Sequence, residues 1–211
     1  MINQKIADLR LDYKLATLNE QDMAAGPVQQ FERWWLEVMQ SELEEPNAMT
    51  LATSTPDGKP SARIVLLKSF DEEGFLFFTN YDSRKGQELA ANPQVTLLFF
   101  WKELQRQVRI EGTVSQAAVT ISDEYFSSRP VGSQIGAIVS PQSQEIPGRS
   151  FLEERVKALE GKTLKRPEHW GGYLVKPLQV EFWQGRSSRL HDRILYTQGA
   201  NGSWKISRLA P

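Results

Sequence analysis

The chain has 211 residues, 40% of them hydrophobic, and its ten Phe and six Trp suffice for a packed core in one large domain. Lys and Arg number 25 against 26 Asp and Glu, a formal charge of −1, which argues against nucleic acid or an anionic membrane as the main partner because such binding runs on excess cations. The absence of cysteine excludes disulfides, thiolate catalysis and Cys-ligated metals, and with only His169 and His191 available no metal site is expected.

In chain order, residues 2–16 read as a short, partly amphipathic helix, followed by a mobile-looking stretch from Asn19 to Pro27. The N-terminus lacks the apolar core of a signal peptide, and no apolar run reaches the roughly 18 residues of a membrane span, so the cytoplasm is the expected compartment. A firmer helix is expected from Pro27, a good first-turn residue, to Glu44, with Phe31, Trp34, Trp35, Val38, Met39 and Leu43 at helical spacing. The middle then turns to short runs rich in β-branched and aromatic residues: Ala48–Ser54, Ser61–Phe70, Phe75–Thr79, Gln94–Trp101 and Gln105–Val114. Asp57-Gly58 and Asp71–Gly74 supply turns between them. Helices are expected at Ser83–Ala91, Ile121–Ser128 (stopped at Pro130) and Phe151–Leu159. Strands return at Gly172–Val175, Gln179–Trp183, Arg193–Thr197 and Ser203–Arg208, the last two joined through Asn201-Gly202, which is read as a hairpin turn rather than as a glycosylation sequon. Many short strands with inserted helices predict a mainly β fold, a closed or nearly closed antiparallel barrel, in one domain over 1–211 with residues 1–27 as an N-terminal arm or lid.

Nucleotide loops of the G-x-G-x-x-G and P-loop types are missing, as is a G-x-S-x-G nucleophile elbow, so hydrolase and NTPase readings lack support. Cations inside apolar strands stand out instead. In Arg63-Ile64-Val65-Leu66-Leu67-Lys68 two charges flank four aliphatics, which is costly if they are buried without partners, although both could sit at strand ends and snorkel into water. Ser83-Arg84-Lys85 opens a helix and could cradle a phosphate, or could be an ordinary cap followed by solvated charges. Tyr125, Arg129 and Ser133 recur every four residues; with Pro130 ending the helix, Ser133 is expected to reach the same point from the following loop, and a solvated helix face fits the spacing as well. The densest group is Glu181-Phe182-Trp183-Gln184-Gly185-Arg186-Ser187-Ser188-Arg189-Leu190-His191-Asp192-Arg193. On an extended chain Arg189, His191 and Arg193 share one face and repel unless an anion or carboxylate sits among them.

Glu181-Phe182-Trp183-Gln184, followed after four residues by Arg189-Leu190-His191-Asp192-Arg193, resembles the signature of the pyridoxine 5′-phosphate oxidase family. Further segments match in order over nearly the whole chain: Phe31-Glu32-Arg33-Trp34, Arg63–Lys68, Phe78-Thr79-Asn80, Ser83-Arg84-Lys85, Arg106-Gln107-Val108, Tyr125-Phe126, Ser128-Arg129-Pro130, Ser133-Gln134-Ile135-Gly136-Ala137 and Arg208-Leu209-Ala210-Pro211. The resemblance implies an antiparallel, Greek-key-like split β-barrel that binds FMN at the interface of a homodimer. By the same resemblance, Arg63, Lys68, Arg84, Lys85, Gln142 and Ser143 would hold the flavin phosphate and polar edge. The strand through Val65 and Leu66 would run beside the ring, and Phe78, Thr79, Gln107, Trp183 and Arg193 would complete the pocket. Lys68, Tyr125, Arg129 and Ser133 would take the substrate phosphate, while Arg189 and His191 would lie over the pyridine ring and serve the chemistry.

The implied reaction oxidises pyridoxine 5′-phosphate or pyridoxamine 5′-phosphate with O2 to pyridoxal 5′-phosphate and peroxide, with ammonia from the amine. Two dianionic phosphates on a near-neutral chain require two local basic clusters, in agreement with cations recurring in apolar strands. The N-terminus departs from the family's Arg-Arg-Glu-Tyr element, reading Arg10-Leu11-Asp12-Tyr13; Arg10 and Tyr13 could still contact substrate. Two rival readings share the barrel: a non-oxidase FMN binder and a pyridoxal-phosphate carrier. Tyr125, Arg129, Ser133, Arg189 and His191 discriminate against the first, since an FMN binder has no need of them.

Overall fold

A computed structural model describes residues 12–211. Nine strands and five α-helices are present among them: α1 Pro27–Met39, β1 Ala48–Ser54, β2 Pro60–Leu66, β3 Ser69–Asp71, β4 Gly74–Asn80, α2 Arg84–Ala91, β5 Gln94–Trp101, β6 Arg106–Gln116, α3 Val119–Ser128, α4 Val131–Val139, α5 Arg149–Lys157, β7 Trp170–Gln184, β8 Asp192–Gln198 and β9 Trp204–Arg208. The sheet runs β2-β1-β5-β6-β7-β4-β3, with β8 pairing to β7 and β9 to β8. The β1–β2, β3–β4, β4–β7, β7–β8 and β8–β9 pairs are antiparallel.

Contacts divide the chain into two compact units. The first comprises Met1–Pro46, Leu98–Ile110 and Leu178–Pro211. Its core follows from the amphipathic spacing of α1, which buries Phe31, Trp34 and Val38. The Phe31 ring lies 5.2 Å from that of Phe99, and Trp34 meets Phe182 edge-on at 5.1 Å. Arg106 is buried here with partners for two nitrogens and one face of its guanidinium. Its Nε donates to Gln184 Oε1 at 2.9 Å, Nη1 donates to Glu37 at 2.6 Å, and the plane sits 4.5 Å from the Trp34 ring.

The second unit, Asn47–Leu97 with Glu111–Pro177, carries the alternation that strands impose. Met49, Leu51 and Thr53 of β1 point inward while their neighbours are half-exposed, and β4 buries Phe75 and Phe77. Gly86, one turn into α2, is dictated by packing: a Cβ there would stand 2.0 Å from the Tyr81 carbonyl oxygen.

Several expected boundaries are corrected. Residues 12–16 are not helical, and the remainder of the expected 2–16 helix lies outside the described residues. The stretch after Asn19 contains a 3-10 turn at Glu20–Asp22, and α1 stops at Met39 rather than Glu44. Ser61–Phe70 is two strands, since pairing passes from β1 to β4 at Leu67 and Lys68, whose N–H groups donate to Asn47 and Leu76. The two expected strands around Pro177 form one strand, β7, which pairs with β4 through Val175 and with β8 from Gln179. Pro177 lies between those ladders, where neither requires its missing N–H.

Candidate functional site

The second unit encloses a cavity of about 1010 Å³ lined by β2, the end of β4, the start of α2, α3, α4 and the Ser140–Ser143 turn. It gathers thirteen of the residues singled out from sequence: Arg63, Val65, Leu66, Lys68, Phe78, Thr79, Arg84, Lys85, Tyr125, Arg129, Ser133, Gln142 and Ser143. Asn80, Ser140 and Trp170 also line it and carry no spacing signal of their own.

At one place the cavity wall carries Lys85, Thr79 and Gln142, with Ser83 as a buried partner of Lys85. Ser83 caps α2 by accepting from the Gly86 N–H at 3.3 Å, and Lys85 follows in the first turn. The Lys85 ammonium is buried and donates to Thr79 Oγ1 at 3.1 Å, Ser83 Oγ at 3.1 Å and Gln142 Oε1 at 3.0 Å. All three acceptors are neutral. Burial, followed by the charge of Arg63, pushes this ammonium down to about 8. A cation held in this way is completed by an incoming anion. Beside it Arg63 and Arg84 share one buried carboxylate, that of Glu88, at 3.3 and 2.9 Å. Burial alone would raise the Glu88 carboxyl; hydrogen bonds from Ser61, Thr53, Arg84 and Arg63 outweigh it and hold the group at about 2.

A second cationic place is framed by aromatic rings. Phe78 stacks on Tyr125 at 4.0 Å and on Trp170 at 5.5 Å, Lys68 Nζ lies 5.7 Å from the centre of the Tyr125 ring, and the Arg129 guanidinium lies 4.6 Å from the Trp170 ring. Arg129 Nη1 is buried without a hydrogen-bond partner, and burial lowers the pKa of its guanidinium. Among the described residues no carboxylate pairs with Lys68, Lys85 or Arg129. An unsatisfied buried donor costs about 1–3 kcal/mol, a cost that an anionic ligand removes. Ser133 lines the cavity from the first turn of α4, not from the loop expected after Pro130: Pro130 caps a new helix instead of ending order, its carbonyl accepting the Ser133 N–H at 2.8 Å.

Tyr13, Gln107, Trp183, Arg189, His191 and Arg193 belong to the first unit and are not part of that lining. Tyr13, Trp183 and His191 form an aromatic group, with Trp183–His191 centroids at 4.5 Å and Tyr13 at 6.0 Å from each. Tyr13 packs where a side chain on Gly185 would stand, a Cβ there lying 2.7 Å from Tyr13 Cδ2. His191 Nδ1 accepts the Arg186 N–H at 3.1 Å, so the neutral ring carries its proton on Nε2. Burial and then the Arg189 charge lower its pKa.

Arg189, His191 and Arg193 do not lie on one extended strand. Ser187–Arg189 is a 3-10 turn in which Ser188 and Arg189 have φ of 55° and 61°. The expected repulsion is relieved by Glu181, which takes Arg193 at 2.7 Å and Arg109 at 2.6 Å. Gln107 is half-buried on β6, and Arg10 lies outside the described residues.

A cavity with two cationic places, one beside the buried Glu88 carboxylate and one without a carboxylate, and with stacked aromatic rings thus lies among antiparallel strands. The family model described as pyridoxamine 5′-phosphate oxidase matches residues 36–162, and that described as the pyridoxine 5′-phosphate oxidase C-terminal dimerisation region matches residues 170–211. A relative from Cupriavidus pinatubonensis, a pyridoxine/pyridoxamine 5′-phosphate oxidase, is 58% identical over 98% of this chain and 99% of its own. Among solved structures, PhzG from Burkholderia lata 383 in complex with tetrahydrophenazine-1-carboxylic acid aligns with TM-score 0.88 and 32% identity, covering 93% of this chain and 99% of that one. A pyridoxamine 5′-phosphate oxidase-related, FMN binding protein from Nostoc punctiforme aligns with TM-score 0.72 and 17% identity over 90% of this chain and all of its own, a likeness of fold alone. The chain belongs to the pyridoxine/pyridoxamine 5′-phosphate oxidase family of enzymes, and its mainly β, helix-decorated fold is the split-barrel class expected from the sequence.

Proposed function

We propose that the chain oxidises pyridoxine 5′-phosphate or pyridoxamine 5′-phosphate to pyridoxal 5′-phosphate, with FMN as its redox group and O2 as the final acceptor, releasing peroxide and, from the amine, ammonia. It would act as a cytoplasmic homodimer with FMN at the subunit interface, each chain forming one split-barrel domain with residues 1–27 as its arm. The observation that carries this reading is the cavity itself, whose two cationic places suit two phosphates.

The fit to FMN rests on Lys85, a buried ammonium with only neutral partners. Lys85, Arg63, Arg84, Gln142 and Ser143 would hold the flavin phosphate and polar edge. Val65, Leu66, Lys68, Phe78, Thr79, Gln107, Trp183 and Arg193 would complete the pocket. When bound, FMN would supply the two-electron acceptor that this side-chain set lacks.

The chain's own residues bind and orient. Arg129 brings an unpartnered Nη1 to the substrate phosphate, where Lys68, Tyr125 and Ser133 add an ammonium and two hydroxyls. Arg189 and His191 would lie over the pyridine ring, His191 presenting a fixed Nε2–H because its Nδ1 is already engaged. Tyr13 and Arg10 would close on the substrate from the N-terminal arm. An absorbance spectrum of the purified protein, followed by pyridoxine 5′-phosphate with and without air, tests the reading. A flavin spectrum that bleaches without oxygen, with pyridoxal 5′-phosphate and peroxide formed in air, is expected; bound flavin without turnover of either vitamer would replace it with a flavin-binding role.

A further inference from the structure

A buried carboxylate beside a phosphate pocket is electrostatically unexpected, because it opposes the dianion that the pocket receives. Glu88 is such a group: it is 5% exposed and lies on the inner face of α2, one helical turn from Arg84. Its two oxygens divide the labour. Oε1 accepts Arg84 Nε at 2.9 Å, while Oε2 accepts Arg63 Nη2 at 3.3 Å together with the hydroxyls of Ser61 and Thr53. Thr53 Oγ1 in turn accepts Arg63 Nη1, and the Leu51 carbonyl takes the same nitrogen at 3.2 Å. Each of these side-chain contacts of Glu88 thus runs to a residue of the cavity wall or to a residue that holds one in place.

Two consequences follow from this connectivity. Arginine side chains carry large rotamer entropy, and a guanidinium already held by a carboxylate loses less of it when an anion arrives. The carboxylate also sets the charge of the cluster: three cations, Arg63, Arg84 and Lys85, less one anion leave two net positive charges, the magnitude of a phosphate dianion. Resting on the flavin assignment above, we propose that Glu88 is a positioning residue that holds Arg63 and Arg84 and so makes this pocket select the phosphorylated flavin over riboflavin.

The test is a fluorescence titration of the full-length chain, stripped of flavin, with FMN and with riboflavin in parallel. Glu88→Gln should weaken FMN by about twentyfold or more while riboflavin changes by less than about twofold, so that the preference for FMN collapses, a tenfold change corresponding to about 1.4 kcal/mol. Thr53→Val, which removes one of the hydrogen bonds to Glu88 Oε2 and one of the two acceptors of Arg63 Nη1 without changing any charge, should move the preference the same way by about threefold, in line with one hydrogen bond. It also keeps the proposal testable if the first variant fails to fold. Tighter FMN binding in Glu88→Gln would show the carboxylate to be only an electrostatic burden and would overturn the proposal. A parallel loss of both flavins in either variant would show a purely structural role and overturn it equally. Failure of the unaltered chain to bind FMN at all would instead remove the flavin assignment on which the proposal rests, and the proposal with it.

Discussion

Lys85 and Gln142 meet at 3.0 Å, the ammonium donating to an amide oxygen at a position where a buried lysine would ordinarily find a carboxylate. The pair links the first turn of α2 to the turn after α4, and it leaves one full positive charge facing the cavity.

That charge is titratable in an accessible range. The folded value of about 8 lies below the 10.5 of free lysine, so the ligand-free protein sheds this proton as pH rises through 8, whereas a bound phosphate retains it. Flavin-phosphate binding should therefore take up a proton above pH 8, and Kd should rise towards tenfold per pH unit, a slope of about 1.4 kcal/mol for each unit. Titrations between pH 7 and 9.5 check this. A flat profile would remove Lys85 from the phosphate site.

Arg129→Met deletes the unpartnered donor and its neighbouring charge. KM for pyridoxine 5′-phosphate should rise by roughly 10–100-fold, the value of a charge-assisted hydrogen bond, while the flavin Kd stays within about twofold. A loss of flavin with unchanged KM would assign Arg129 to the other phosphate.

Glu181 is 3% exposed and holds two guanidiniums, Arg109 at 38% and Arg193 at 27% side-chain exposure. Removing a buried partner costs about 3–5 kcal/mol when the orphaned charge is fully buried; partial exposure reduces this to about 2 for Glu181→Gln. The corresponding fall in Tm is roughly 4–8 °C for a chain of this size. A thermal melt within about a degree of the unaltered protein would mean that other partners and water satisfy the two arginines without Glu181.

His191 has a folded pKa below the 6.5 of free histidine, because burial and then Arg189 disfavour its cation. The group thus favours the fold above 6.5 and disfavours it as pH falls below that value, where the unfolded chain takes up the proton first. His169 and His191 are the two histidines of the chain, so a proton NMR titration with His191→Asn as the assignment control reads it directly. The midpoint should fall below 6.5; a value at or above it would mean that burial and Arg189 do not disfavour the His191 cation.

The strands were legible because their composition is local. Ala48–Ser54 and Gln94–Trp101 stand out as short runs rich in β-branched and aromatic residues and fold over those bounds. The Arg84–Glu88 spacing was equally open to inspection, yet its burial was not, since an exposed i,i+4 pair has the same sequence. Ser133 was misplaced because Pro130 reads both as a helix stop and as a helix start, and only the surrounding packing decides between them. Arg189 was misplaced because alternation assumes an extended backbone, whereas two consecutive left-handed residues reverse it. Trp170 gave no warning at all: its role arises from Phe78 and Arg129, which are remote in sequence.

Arg208 donates to Glu20, Asp192 and the Leu18 carbonyl, and Arg193 donates to the Ala210 carbonyl two residues further on. The last strand therefore behaves as a buckle for the segment that leads to Tyr13. For anyone handling this protein, the C-terminal residues are a poor place for a purification tag or fluorophore: a bulky group there would load the fastening that fixes Leu18 and Glu20, and the strain would pass along the chain to Tyr13 and its contact with His191.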